Sequence, residues 1–207
     1  MGLKERVKKT RAWRAFRTFV EGVVYAGIPD RIYDFPMQRE RIGWLKKNRT
    51  GKTLEVGSGT GIVLDRTGGQ VGLELSQRRV EIAAKKFPHL TFVQGDATKM
   101  PFKTGEYETV MLPEILEHVP FEVAKKIVAE SLRVANKQVL ITLPNAAKKD
   151  YDVDLVENPE HLWMPTPEKV GQLTGAKHKI EYDSGQNFLL VTCTKAGGRA
   201  KAKKRRK

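Results

Sequence analysis

The run Glu114-Ile115-Leu116-Glu117-His118 places two carboxylates and an imidazole immediately after an apolar stretch. Oxygen donors beside an imidazole suit a hard divalent cation such as Mg²⁺ or Mn²⁺, and the imidazole alone can act as a general base. His161, in Pro159-Glu160-His161-Leu162-Trp163, is a candidate further ligand from a later loop. A third reading needs no reaction chemistry, because such a histidine can simply hydrogen-bond its own loop. From the residues alone, metal binding by Glu114, Glu117, His118 and His161, base catalysis by His118 with Glu114, and a structural role all stay open.

A second constellation lies upstream. Glu55-Val56-Gly57-Ser58-Gly59-Thr60-Gly61 ends an apolar run, and glycines without a Cβ let a backbone pass close to a ligand. Alone, this pattern also describes a tight turn with nothing bound. Glu74 closes the next apolar run, where a carboxylate can accept hydrogen bonds from two ribose hydroxyls. Asp96 and Ala97 follow the third, where an acid and a backbone amide can hold an adenine edge. Three such features in register after three successive runs point to a nucleoside-bearing ligand. A nicotinamide dinucleotide is disfavoured, because its fingerprint needs a third glycine where Ile62 stands.

The elements that must position these residues are legible. Strand-length apolar runs occur at Thr53–Val56, Gln70–Leu75, Leu90–Gln94, Glu108–Leu112, Gln138–Leu143, His178–Tyr182 and Asn187–Thr194. Amphipathic segments between them predict a mostly parallel sheet with helices on both faces. Ser76 is the expected N-cap of a helix from Gln77 to Phe87, and Phe121 to Val134 forms another, with Val123, Ile127, Val128 and Leu132 on one face. A helix over Pro36 to Lys47 should bury Ile42, Trp44 and Leu45. Asp183-Ser184-Gly185 is too short for a parallel crossover, so the last two strands should form an antiparallel hairpin. The stretch from Pro144 to Pro167, with four prolines, is expected to supply part of an acceptor wall. Its Tyr151 and Trp163 can stack on a planar acceptor or anchor the loop, and Tyr33 can close over a ligand or pack below the amino-terminal helix.

Leu54-Glu55-Val56-Gly57-Ser58-Gly59-Thr60-Gly61, Gly72-Leu73-Glu74-Leu75-Ser76, Gln94-Gly95-Asp96-Ala97 and Pro113-Glu114-Ile115-Leu116-Glu117-His118 resemble the successive motifs of class I, Rossmann-like S-adenosylmethionine-dependent methyltransferases. The resemblance spans about residues 40–194. It implies a seven-stranded α/β sheet with an antiparallel edge hairpin, and S-adenosyl-L-methionine as cofactor. It also implies Glu55, Gly57, Ser58, Gly59 and Gly61 at the methionine end, Glu74 with Leu75 at the ribose, Asp96 and Ala97 at the adenine, and Leu112 and Pro113 beneath the sulfonium. The Glu-x-x-Glu-His pattern is similar to the metal-binding set of ubiquinone-pathway O-methyltransferases and small-RNA 3′-terminal 2′-O-methyltransferases, and to metal-free relatives as well. The short spacing after Gly61 requires an abbreviated first helix of the sheet domain.

Composition limits the rest. Of the formal net charge of +14, residues 1–17 carry +6 and residues 195–207 carry +8, so the segment between is neutral. The chain thus reads as a basic amphipathic helical extension over 1–35, one methyltransferase domain over 36–195 and a basic tail over 196–207 without apolar residues larger than alanine. No run reaches the roughly 18 apolar residues of a membrane span, which predicts a soluble, cytoplasmic protein. The single cysteine, Cys193, sits in an apolar run and is expected to be inert. The neutral centre favours methylation of an oxygen or nitrogen on a small molecule. The basic ends allow two alternatives: an RNA or nucleic-acid-associated protein acceptor, or a non-catalytic interaction protein on the same fold.

Overall fold

In a computed structural model, residues 33–148, 160–175 and 178–194 are described. The expectations for the amino-terminal extension before residue 33, for Tyr151 and for the basic tail lie outside these residues.

Helix α1 (Pro36–Asn48) precedes the sheet. Strand β1 (Thr53–Val56), helix α2 (Ile62–Thr67), β2 (Val71–Glu74), α3 (Gln77–Lys86), β3 (Thr91–Gln94), β4 (Tyr107–Pro113), α4 (Phe121–Val134), β5 (Ala135–Pro144), α5 (Pro167–Thr174), β6 (His178–Tyr182) and β7 (Phe188–Thr194) follow. The seven strands lie in the order β3-β2-β1-β4-β5-β7-β6. Neighbours from β3 to β5 pair in parallel, and β7 runs antiparallel to both β5 and β6. The expected hairpin therefore forms, with β7 inserted between β5 and β6.

Both faces of the sheet centre are covered, which is why β1, β2 and β4 read as near-continuous apolar runs. Alternate residues point to opposite faces. Leu54, Val56, Leu73, Val110, Leu112, Val139 and Ile141 form one core with Ile127 and Val128 of α4 and Val170 and Leu173 of α5. Met111 and Leu140 face the other way, into a smaller core with Ile42 and Leu45 of α1 and Val63 and Leu64 of α2. In α4, Ile127 and Val128 are buried as expected, whereas Val123 and Leu132 pack at the margin of the core.

Several helix boundaries have local causes. Ser76 caps α3, its side chain accepting from the Arg79 amide. Helix α2 has only six residues, with Gly61 (φ 85°) before it and Gly68 (φ 73°) after it. The abbreviated helix inferred from spacing is present. Two expectations need correction. Strand β5 starts at Ala135, earlier than the apolar run, across an irregularity in its pairing with β4. On α1 the buried set is Arg41, Ile42 and Leu45; Trp44 is only partly buried, because the stripe facing the sheet runs through position 41.

Candidate active site

The turn after β1 is built by its backbone. The amides of Gly57 and Ser58 both donate to the Leu73 carbonyl at 2.8 and 3.1 Å, tying the turn to β2, and the Gly61 amide donates to the Ser58 carbonyl. Gly57, Gly59 and Gly61 all have positive φ, where side-chain-bearing residues are strained. At Gly61 a Cβ would stand 2.6 Å from the Phe92 ring, whereas at Gly59 it would meet nothing within 4 Å. Gly61 is thus required by packing; Gly59 borders open space.

Glu74 bridges this turn to the start of α3. Its carboxylate accepts from the Gly59 amide and from the Ser76 amide, each at 3.0 Å, and Arg79 lies 3.7 Å away. Two of about four lone-pair directions are used, so acceptor capacity remains. Leu75 projects an apolar side chain that is 67% exposed. Asp96 is exposed and holds the following turn through the Thr98 amide and hydroxyl at 2.7 and 2.8 Å, with Ala97 half-buried beside it. Pro113 ends β4 and is buried. The Leu112 side chain belongs to the core under α4, so only its backbone is available to a ligand.

Glu55 sits fully inside the sheet on the α1 face, and burial pushes its carboxyl well above the usual carboxylate range. The Arg41 charge opposes this shift and the Glu74 charge adds to it. One Glu55 oxygen and the Ser58 hydroxyl are buried without hydrogen-bond partners. Unsatisfied buried polar atoms are uncommon, and they call for an explanation such as an absent ligand.

The turn after β4 brings the other constellation together only in part. Glu114 takes a left-handed backbone (φ 50°), and a single turn of 3-10 helix over Leu116–His118 follows. Glu117 is completely buried, with neither carboxylate oxygen hydrogen-bonded. Burial, reinforced by Glu114, pushes its carboxyl well above the usual range. Ligand atoms of Glu117, His118 and His161 lie within 4.8 Å of one another, and the two imidazoles meet edge to face at 4.9 Å. Burial, and then His161, push the His118 imidazole down to about 4, against a hydrogen bond with the Glu160 backbone. Glu114 does not join this group; it turns toward Arg41, 3.5 Å away.

The later loop docks directly on this turn. The Leu162 amide donates to the Glu117 carbonyl at 2.8 Å, and the Trp163 indole donates to the Leu116 carbonyl at 2.9 Å. Trp163 also packs edge to face with Phe121, 5.1 Å between ring centres. Trp163 is therefore an anchor of the loop. Tyr33 packs at the edge of the smaller core beside Arg66, whose guanidinium donates to the Tyr33 carbonyl. Cys193 is buried, and its thiol is pushed up to about 12 by burial.

Sequence reasoning missed two residues of this neighbourhood. Arg41, 1% exposed, reaches from α1 to the Glu114 turn. Glu160 places a carboxylate 3.7 Å from His118. Arg41 shares the helical stripe of Ile42 and Leu45, and that spacing was the available signal. Glu160 carried none beyond adjacency to His161.

Residues 53–138 match the model of a family described as methyltransferase domain. That match, the strand order and the glycine turn at the end of β1 together support a class I S-adenosylmethionine-dependent methyltransferase. Among solved structures it is similar to an S-adenosylmethionine-dependent methyltransferase from Thermotoga maritima described as a possible histamine N-methyltransferase. The two are 15% identical over 88% of this chain and 99% of that one, with a TM-score of 0.67. It is also similar to a methyltransferase from Archaeoglobus fulgidus (15% identity, 87% and 99% covered, TM-score 0.61). A third similar structure is a Haloferax volcanii methyltransferase in complex with the Trm112 activator (12% identity, 86% and 96% covered, TM-score 0.61). At these identities the likeness concerns the fold. No curated protein matches the chain.

The residues present fit S-adenosylmethionine. The open space at Gly59, the unpartnered Glu55 oxygen and Ser58 hydroxyl, and the spare acceptor capacity of Glu74 surround one face of the β1 and β2 ends.

Proposed function

We propose that this protein transfers a methyl group to an oxygen or nitrogen atom of a small-molecule acceptor, bound beyond the carboxyl ends of β4 and β5. The observation that carries this reading is the Glu117–His118–His161 group. It gathers a carboxylate and two imidazoles, and it adjoins the glycine turn through Ile115, whose Cδ1 occupies the place where a Cβ on Gly57 would stand.

In this reading Glu55, Gly57, Ser58, Gly59 and Gly61 hold the methionine end of the cofactor, Glu74 and Leu75 the ribose, and Asp96 and Ala97 the adenine. Leu112 and Pro113 lie beneath the sulfonium. The bound cofactor supplies an already activated methyl group on a good leaving group. The chain's task is then alignment of the acceptor in line with it, plus removal of one proton. His118, held neutral by burial, is the proton acceptor, and Glu114 fixes the turn that carries it. We assign 36–195 to the catalytic domain, with basic segments at 1–35 and 196–207, and a cytoplasmic location; no helix among the described residues is long and apolar enough to cross a membrane.

A second reading of the same group is favoured by Glu117, whose two oxygens are buried and unpartnered beside two imidazoles. Glu117, His118 and His161 would then hold a divalent metal that orients the acceptor oxygen. An RNA or nucleic-acid-associated acceptor, recruited through the basic ends, is the alternative substrate class. The test is transfer of a tritium-labelled methyl group from the cofactor to panels of phenols, amines and structured RNA, with and without chelator. Label on a small phenol or amine supports the proposal. Label on RNA alone, lost on deleting residues 197–207, contradicts it.

A further inference from the structure

Arg41 is the one buried basic side chain among the described residues, and nothing in the methyl-transfer scheme above uses it. It reaches the site from α1, far upstream of the motifs. Its Nε and Nη2 donate to Gln38 Oε1 at 2.9 and 2.6 Å, and its Nη1 donates to Thr142 Oγ1 at 3.2 Å. The guanidinium lies over the Phe188 ring, 5.6 Å from its centre, and its Nε is 3.5 Å from Glu114 Oε1.

Thr142 is the link. Its hydroxyl accepts from Arg41, while its carbonyl accepts from the Glu114 amide at 3.0 Å. Glu114 is one of two described non-glycine residues with positive φ, a strained conformation that persists only when its surroundings enforce it. Here the enforcing contacts are the Thr142 carbonyl on its amide and the Arg41 guanidinium beside its carboxylate. The same charge reaches Glu55 and Glu117, lowering both carboxyls against their burial. A second tie holds α1 in place, because Glu40 accepts from the Ser184 amide and hydroxyl, both at 2.6 Å, on the β6–β7 turn.

We infer that Arg41 is a positioning residue: through Thr142 and Glu114 it locks the left-handed turn that aims Glu117 and His118 at the acceptor. This rests on the functional reading above only for the word acceptor; the lock itself is a claim about the turn. A planar fork fits the role, since Arg41 divides its donors between Gln38 and Thr142 while keeping its charge toward Glu114.

Trp163 provides a native reporter, because its indole N–H bonds the Leu116 carbonyl within that turn. The experiment uses the full chain saturated with S-adenosylhomocysteine and reads the Trp163 indole N–H and His118 ring resonances by NMR, alongside calorimetric affinity for the same ligand. Arg41→Met is expected to shift or broaden both resonances while affinity changes less than about threefold, and Arg41→Lys is expected to recover at least about half of the displacement through its retained charge. If Arg41→Met does not fold, Thr142→Val keeps the shape of the strand and removes the Arg41 acceptor, and must move the same resonances to a smaller extent. Unmoved resonances in whichever of these variants folds would overturn the inference. So would a Lys variant as displaced as the Met variant. A wild-type chain that fails to bind S-adenosylhomocysteine would defeat the functional reading, yet the same resonances, read without ligand, would still judge the lock.

Discussion

Glu74 and Glu117, one buried carboxylate from each half of the site, are satisfied in opposite ways. On the β1–β2 side, Glu74 is engaged by two backbone amides and Asp96 by Thr98, while one Glu55 oxygen and the Ser58 hydroxyl stay unpartnered. On the β4–β5 side, Glu117 is entombed with both oxygens unpartnered, Glu114 sits in a left-handed conformation, and Arg41 is their counter-charge. A satisfied buried polar network rigidifies, whereas an unsatisfied one is retained at a cost in stability. Glu74 is thus held by backbone amides of the fold, whereas Glu117 is retained against its cost in stability.

Exchanging the two buried carboxylates for a similar-sized apolar residue is the sharpest way to break this contrast. Glu74→Met should destabilise the fold by about 2–4 kcal/mol, because the Gly59 and Ser76 amides lose their acceptor. Glu117→Met should instead raise stability by about 1–2 kcal/mol, since it removes a buried unpartnered acid, while methyl transfer is lost. Denaturant melts of both variants decide the matter, and equal signs would dissolve the comparison.

Within the first half, Gly61→Ala should cost about 2–3 kcal/mol from its φ of 85° and the Phe92 ring. Gly59→Ala should cost about 1–2 kcal/mol from φ alone, yet weaken S-adenosylhomocysteine at least about tenfold, because its Cβ enters the open space. Melts and ligand titrations on the pair separate packing from binding.

A pH series sharpens the second half. In the folded chain His118 stays neutral down to about pH 4, whereas unfolded it takes up a proton near 6.5. Between those values the unfolded chain binds the extra proton, so this contribution to stability is present above 6.5 and is lost as pH falls toward 4. The fall from pH 6.5 to pH 4 should therefore be shallower in His118→Asn than in wild type, measured as melting temperature against pH. The smallest effect expected is Trp163→Phe, which keeps the ring packing on Phe121 and loses about 1 kcal/mol with the bond to the Leu116 carbonyl.

What the sequence disclosed follows the same division. Strands Thr53–Val56 and His178–Tyr182 and helix Phe121–Val134 have the boundaries read from apolar spacing, because each is a local pattern with a local stop. The glycine turn and the Glu74 position were legible for the same reason. The insertion of β7 between β5 and β6 was not, since strand order depends on distant pairing. Nor was Arg41, because an arginine on a helical stripe reads as solvent-facing until Thr142, a hundred residues later, is known to lie beneath it. Glu114 was grouped with Glu117 and His118 by spacing, and only the left-handed turn sends it to Arg41 instead.

The central claim, that the β1–β2 ends form a nucleoside cofactor site through Glu74, is tested most directly by titrating S-adenosylhomocysteine into wild type and Glu74→Ala by calorimetry. The account predicts saturable one-to-one binding to wild type, weakened by about 100-fold or more in the variant. Absence of binding to folded wild type, or equal affinity in the two proteins, would contradict it.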